Sequence, residues 1–521
     1  MTVMLIVIIY EVLSIGGVSL YLYMKGKKLA AEGGEGSGAF ANAGRSLPWP
    51  VVGASIALAV LGAVHVFGIM EVSWNMGAIS VWFSIAHVVL ICVICLVTGR
   101  FVRRLKVNTI PELIRMLFDD RVALLCVAVI AAQTFAILTM EVQALGIIFN
   151  GLTQNAVTTE VGTIIGAAFG LAYVLLAGMK EIGWVNMINT VVMYAGLILA
   201  TAFLAQYLFT GNPYDGYSGW DAVGAFFANP PAGVEQPGPV PIEAYPSIFG
   251  TGGMGGSLVT FGIATVVAVT FAQGISQMGL QSTMAAKDEK TVVKSLWVAA
   301  PVNGLFGIFT ALIGIAAFAA VNSGNLNLPA NAIPAKQAGL ALLLDILPAW
   351  VVGILVAAFL GAVLSTFAIT TLSLGNIFVN DIYLRRHPDA SEATKTKYTR
   401  IFIVLAAVVA VLATLNKPEI VNGANWAFAW LAPIFWNVIF ALFWKRNGKA
   451  AMIVFVVSWI CVILWTYTPF RLAIGAIPIP YLTLAISVVL GAILTAVLPG
   501  SKPGYFKELE QRKAKAAEAA R

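Results

Sequence analysis

Apolar residues run through this chain in stretches of about twenty, each closed by a short cluster of glycine, proline or charge, with little of the period-two alternation of half-buried strands. A bilayer's hydrocarbon core, about 30 Å thick, takes about 20 apolar residues per helix. About thirteen stretches approach that length: 3–24, 49–72, 78–98, 122–149, 158–179, 184–209, 257–278, 296–321, 349–378, 401–415, 421–444, 450–467 and 481–498. A spanning barrel would instead show ten-residue alternating segments, so the pattern predicts an all-α polytopic membrane protein embedded in lipid bilayer.

Composition adds weight to that reading. Of 521 residues, 60% are hydrophobic and 11% charged, where a soluble domain carries about a quarter charged. The charges are also sorted. Lys25, Lys27 and Lys28 follow the first stretch, Arg100, Arg103, Arg104 and Lys106 the third, and Lys287, Lys290 and Lys294 the seventh. Arg385, Arg386, Lys395, Lys397 and Arg400 follow the ninth and Lys445, Arg446 and Lys449 the eleventh. The tail adds Lys502, Lys507, Arg512, Lys513 and Lys515. The long loop 210–256 holds Asp215, Asp221, Glu235 and Glu243 and no Lys or Arg. Positive loops stay cytoplasmic, so the amino terminus is expected outside and the tail inside. The net charge of +7 then reports topology, not nucleic-acid binding. The first stretch has no basic region before it and lysines after it, which suits a retained anchor in the inner (plasma) membrane better than a cleaved signal.

Two stretches are rich in helix-interrupting glycine. One reads LPWPVVGASIALAVLGAVHVFGIM with Gly53, Gly62 and Gly68; the other is entered through GTGGMGGSLVTFG and carries Gly274. Broken helices at matching places in two halves mark transporter repeats, although glycines also let helices pack closely. A third stretch, GAVLSTFAITTLSLGNIFVNDIY at 361–383, holds Ser365, Thr366, Thr370, Thr371 and Ser373. Ala362, Ser365 and Thr366 share one helical face. Two converging hydroxyls suit a hard monovalent cation; the alternative is that each bonds back to the carbonyl one turn earlier.

Of three histidines, His65 and His87 lie inside apolar stretches and His387 in a basic loop. An intramembrane imidazole is either satisfied by a neighbouring carbonyl or functional. The pair lacks a third nearby ligand for zinc. Glu11, Glu71 and Glu141 are the acidic residues near or inside stretches. The four cysteines, Cys92, Cys95, Cys126 and Cys461, imply no disulfide framework.

The segments GRSLPWPVVGAS, NTIPELIRMLFDDR, LLAGMKEIGWVNMIN, QSTMAAKDEKTVVKS, FVNDIY and LFWKRNGKAAM occur in one order along most of the chain. In these the chain resembles the sodium:solute symporter family, which includes sodium/proline, sodium/pantothenate, sodium/sialic acid and sodium/glucose carriers. The resemblance implies a LeuT-like core of two inverted five-helix repeats over 45–444. An extra helix over 1–24 precedes it; two helices over 449–498 and a cytoplasmic tail over 499–521 follow. It implies a sodium ion held by the carbonyls of Leu58, Leu61 and Ala362 and the hydroxyls of Ser365 and Thr366. Solute contacts would fall at His65, Ser84, His87 and Asn303, with Gln273, Gln277, Asn422, Asn425 and Trp426 as further candidates. The family's frequent Asp after Trp-Thr is absent from Trp184, Val185, Asn186, which removes the carboxylate on which a second sodium site would rely.

The expectation is therefore a sodium-coupled symporter, not an enzyme, with Na+ as coupling ion and no organic cofactor. It imports a small organic solute, a carboxylate or amino acid, by alternating access. A proton-coupled transporter of the same fold, a membrane enzyme and a sensor are the rival readings. The loop 210–256 would shield or gate the entrance, or serve as a solvated connector.

Overall fold

A computed structural model describes residues 2–22, 24, 40–153, 156–176, 178–211, 213–328, 332–414 and 420–519. Lys25, Lys27, Lys28 and the side chain of Asn422 lie outside the described residues. Within them, ten helical stretches are long and apolar enough to cross a bilayer, and eleven when one bent pair counts as a span. That number is below the thirteen expected for two reasons. Trp49–Ala59 and Thr159–Leu175 are apolar but short, and the stretches at 49–72 and 78–98 share the 42-residue stretch Val64–Leu105. Gly77 interrupts this stretch with a φ of +75°, which an L side chain rarely adopts, and it does so against the backbone of Tyr245.

In chain order the helices are α1 (Val3–Leu22), α2 (Trp49–Ala59), α3 (Ile69–Met76), α4 (Trp82–Val93), α5 (Asp120–Leu152), α6 (Thr159–Leu176) and α7 (Met179–Leu204). Then come α8 (Leu258–Gln273), α9 (Gln277–Met284), α10 (Leu296–Asn322), α11 (Ala349–Ile377), α12 (Glu392–Ala413) and α13 (Ile420–Ala429). The last are α14 (Ala432–Phe443), α15 (Gly448–Tyr467), α16 (Ile479–Val497) and α17 (Tyr505–Ala519). The centre is α11, buried on every face and packed by α1, α5, α7 and α12. An apolar helix with no lipid-facing stripe belongs inside a bundle. By contrast α1 exposes Leu5, Ile8, Ile9, Val12 and Leu13 on one side. Its other side is pinned where Tyr10 donates to Asn189 Oδ1 on α7 at 2.7 Å, and Glu11 is buried there.

Both glycine-rich stretches are broken. The chain is helical through Gly53 and leaves helical geometry at Val60, resuming in a wide turn at Val64–Gly68. The second break lies between α8 and α9, which meet at 52°. There Gly274 packs on the Phe435 ring, and Ser276 restarts the helix by accepting from the Gly279 amide at 3.1 Å.

The basic clusters within the described residues gather on one side of the bundle. Arg100 and Arg104 both pair with Glu289, and Arg103 donates to the carbonyls of Ala286 and Lys287 at 2.6 Å. Arg385 reaches Asp120 at 2.9 Å, Glu508 of the tail helix α17 pairs with Arg446, and the Arg104 guanidinium stacks 5.8 Å from the Phe506 ring centre. Asp288 caps the turn that follows it by accepting from the Thr291 amide, which holds its carboxyl below the usual carboxylate range.

Part of the loop 210–256 packs against the bundle. Its Tyr245 is fully buried, donates to the Trp74 carbonyl at 3.0 Å and accepts from the Ala78 amide at 2.7 Å. Phe227 and Phe318 pack against that ring, and Phe226 packs against Phe318.

Candidate ion and solute site

The break after α2 exposes main-chain groups inside the bundle, and these need partners. The Leu58 carbonyl accepts from the Leu61 amide at 3.3 Å, and the Gly62 carbonyl from the amides of His65 and Val66 at 3.0 and 3.2 Å. The Ala63 amide donates across to Glu141 Oε2 on α5 at 2.8 Å. A Cβ on residue 62 would overlap the Glu141 carboxylate in its present position, so glycine leaves that side chain room to cap the break.

On the facing helix, Thr366 donates to the Leu58 carbonyl at 2.7 Å and lies 3.4 Å from the Ala362 carbonyl of its own helix. Ser365 is fully buried, and its hydroxyl has no hydrogen-bond partner among the described residues. Further along α11, Thr370 and Thr371 bond back to the carbonyls of Thr366 and Phe367, the ordinary use of a hydroxyl in a membrane helix. Among these threonines, Thr366 is the one whose bond crosses between helices. The structure thus brings the carbonyls of Leu58 and Ala362 to one hydroxyl, with Leu61 inside the break and Ser365 adjacent in sequence. Neutral oxygens of this kind suit a hard monovalent cation.

Beside the break, the His65 and His87 rings meet edge to face at 4.3 Å between centres, and Phe83 packs on both. His87 is fully committed: its Nδ1 donates to the Phe83 carbonyl at 2.8 Å, and its Nε2 accepts from Gln273 at 3.1 Å. This pair of bonds fixes a neutral tautomer. His65 is buried with neither ring nitrogen in a hydrogen bond of good geometry, and Asn303 lies beside it. Asn303 spends its amide on the Ala57 carbonyl at 3.1 Å, clamping α10 to α2, and leaves Oδ1 without a donor.

Of the other expected contacts, Ser84 is buried on the His87 face of α4 with its hydroxyl against Gly307. Asn425 donates to Thr265 at 3.4 Å. Gln277 bonds to the Ile110 amide and the Asn108 carbonyl, and Trp426 to Thr466, so both serve packing. Asn186, in place of the family's carboxylate, is buried with its side-chain amide unbonded.

His87, Gln273, Glu141 and Thr366 line one narrow cavity at the break, walled by Val60, Val64, Phe83, Ile137, Met278 and Phe428. The sequence reading names Glu141 without placing it at the site. Its signal is a lone carboxylate deep within the 33-residue apolar α5.

The sodium:solute symporter family profile matches residues 40–457. The chain is 25% identical over 448 residues to a sodium/glucose cotransporter of Vibrio parahaemolyticus, covering 80% of this chain and 77% of that one. It is 25% identical over 431 residues to a sodium/proline symporter of Haemophilus influenzae, covering 78% and 76%. The fold matches that of a substrate-bound, outward-open Na+-coupled sialic acid symporter with a TM-score of 0.75 at 17% identity, over 96% of this chain and 99% of that one. It also matches a nucleobase-cation-symport-1 family transporter in a closed conformation, with a TM-score of 0.54 at 14% identity, over 88% and 93%. The fold is thus that of the LeuT-like transporters, and the protein is a multi-pass membrane transporter, not an enzyme. With its broken helices and its match across the greater part of its length, the chain belongs to the sodium:solute symporter family.

Proposed function

We propose that this protein couples the entry of sodium to the import of a small organic solute, a carboxylate or amino acid, by alternating access. The cation is held by the carbonyls of Leu58, Leu61 and Ala362 and the hydroxyls of Ser365 and Thr366. The solute lies beside them, against His65, Ser84, His87, Gln273, Asn303 and Asn425. The chain crosses the inner membrane thirteen times, with the amino terminus outside and the basic side and tail in the cytoplasm. The observation that carries the reading is the Thr366 hydroxyl seated on the Leu58 carbonyl, where a broken helix faces the most buried one. Family membership supports sodium as the coupling ion.

A cation shared between α2 and α11 stabilises the arrangement in which both present oxygen, and that arrangement shapes the cavity next to it. Coupling is then a free energy shared by two sites. Solute tightens sodium by the same factor by which sodium tightens solute, typically about 5- to 150-fold. An inside-negative potential adds about 2.3 kcal/mol per charge per 100 mV. Uptake of labelled monocarboxylates and amino acids into proteoliposomes tests the proposal. Replacing external sodium by choline or potassium is expected to abolish uptake, and uptake that persists unchanged would refute sodium coupling.

A further inference from the structure

The first helix precedes the region that the family profile matches, 40–457, yet a polar bond inside the membrane ties it to that region. The buried stripe of α1 is Val7, Glu11, Ser14, Val18 and Leu22, and Tyr10 stands at its edge. The Tyr10 hydroxyl donates to Asn189 Oδ1 on α7 at 2.7 Å. Directly after this contact α1 opens into a wider turn over Val12–Gly16. Wide turns within helices occur frequently where a helix serves function.

Asn189 is buried and fills a notch in the central helix. A Cβ at Gly361 of α11 would lie 2.7 to 2.9 Å from the three end atoms of the Asn189 side chain, so the amide rests directly on the α11 backbone. Further along α7 the arrangement is reversed. Gly196 receives Leu355, where an added Cβ would lie 3.0 Å from Cδ1. The two notches show α7 and α11 running antiparallel at close approach, each seated in the other. An aliphatic side chain fills the Gly196 notch, and one would fill the Gly361 notch too, with no need of a partner. A buried amide costs free energy unless it is bonded, and here the donor to its oxygen comes from α1. Asn186, one turn earlier on α7, has no such donor and keeps both amide atoms unbonded among the described residues.

The place of the notch gives the amide its use. Gly361 immediately precedes Ala362 and shares a helical face with Ser365, so Asn189 sits at the level of the α11 oxygens proposed for the cation. Ligand atoms have to be held to within about 0.5 Å, and outer partners that fix the ligands tune the affinity for the ion. The other tie between α1 and α11, Ile6 against Gly353, is apolar and has no hydrogen-bond direction. We infer that Asn189 is a positioning residue for the cation site and is held in place by Tyr10, so that the helix ahead of the family region sets sodium affinity. This rests on the symport reading above and adds a control on its sodium site.

The test measures sodium binding by the full-length protein in lipid nanodiscs, as the rise in melting temperature when sodium chloride replaces choline chloride at constant ionic strength. Tyr10→Phe keeps the ring and removes the bond. It is expected to raise the half-saturating sodium concentration about fivefold, the equivalent of one neutral hydrogen bond. Asn189→Ala is expected to raise it at least as far, and the double variant no further than Asn189→Ala alone, because both changes act through one contact. A bond that only supports the fold would lower the melting temperature equally in sodium and in choline and leave the half-saturation unmoved. That result for Tyr10→Phe overturns the inference, as do shifts that multiply in the double variant. Should Asn189→Ala not fold, Tyr10→Phe decides alone. Thr366→Ala, measured alongside, separates the inference from the symport reading. If Thr366→Ala raises the half-saturation and Tyr10→Phe does not, the inference fails and the sodium site stands. If sodium gives the unaltered protein no stabilisation over choline, both fail.

Discussion

The Thr366 hydroxyl donates to the Leu58 carbonyl at 2.7 Å, joining two residues 308 positions apart at the point where one helix is broken and the other is whole. The carbonyl is available because at the break it meets the Val60 amide and, at 3.3 Å, the Leu61 amide in place of a full helical bond. Removing the hydroxyl removes one of five proposed oxygens from the cation. Thr366→Ala is therefore expected to weaken sodium activation about tenfold, about 1.4 kcal/mol, while Thr366→Ser keeps it. The sodium concentration giving half-maximal uptake checks both.

Ser365 separates ligation from folding. Its buried hydroxyl has no partner among the described residues, and a buried donor left unsatisfied costs about 1–3 kcal/mol. Ser365→Ala should leave thermal stability in sodium-free buffer unchanged or higher, yet reduce the stabilisation that added sodium gives. A drop in sodium-free stability with unaltered sodium response would remove Ser365 from the cation site.

Gly62→Ala brings a methyl group into the Glu141 carboxylate. Either the Glu141 side chain turns away from the Ala63 amide or the break moves, and overpacking of this kind costs about 1–3 kcal/mol. Lower melting temperature and loss of transport are expected together. Glu141→Ala, made in the same chain, is expected to restore part of the stability by vacating the space, although transport stays lost. Additive losses in the double variant would show that the two positions do not meet.

His65 and His87, alike in the sequence, differ in their hydrogen bonds. His87 has spent both nitrogens on Phe83 and Gln273, whereas His65 has both free of good hydrogen bonds. His65→Ala should raise the KM for solute with the sodium half-saturation kept within about twofold, since it removes a contact to one cargo and not the other. Gln273→Ala frees His87 Nε2 and should disturb packing around Phe83 as well as affinity. If His65→Ala shifts sodium activation as strongly as solute KM, the division of roles between the two sites fails.

Much of this architecture was legible before the fold. Helix length against bilayer thickness gave nearly every apolar segment, and glycine density located both breaks, because unwound backbone needs room. What composition does not encode is which hydroxyl turns outward. The family resemblance singled out Ser365 and Thr366, and the structure adds that Thr366 reaches the Leu58 carbonyl while Thr370 and Thr371 bond back within their own helix. The seat of the loop 210–256 was not legible, since its proline and glycine content fits a shield and a connector alike and does not show that Tyr245 is buried against Trp74. Glu141 was visible as an oddity, but its bond to the Ala63 amide joins α5 to a break 78 positions away.

A last prediction concerns the side assigned to the cytoplasm. There Asn108 is held from three directions: Asn376 of α11 donates to its carbonyl at 2.9 Å, Gln277 of α9 at 3.3 Å, and Arg45 to its side chain at 3.0 Å. Gln277 also accepts from the Ile110 amide and Gln281 donates to the Ala41 carbonyl, both at 2.8 Å, so a buried polar cluster ties the broken helix pair to the unbroken one. Each bond is modest, about 1 kcal/mol net, but the cluster is satisfied as a unit and fails as one. Under the proposed alternating access, this closure opens for solute to leave. Asn376→Ala or Gln277→Leu should therefore shift the population toward the inward-facing form, which binds external sodium less well. Faster amide exchange over residues 106–112, together with a higher sodium requirement for uptake, is the expected pair of results. Exchange that stays slow in both variants would show that the closure is held elsewhere.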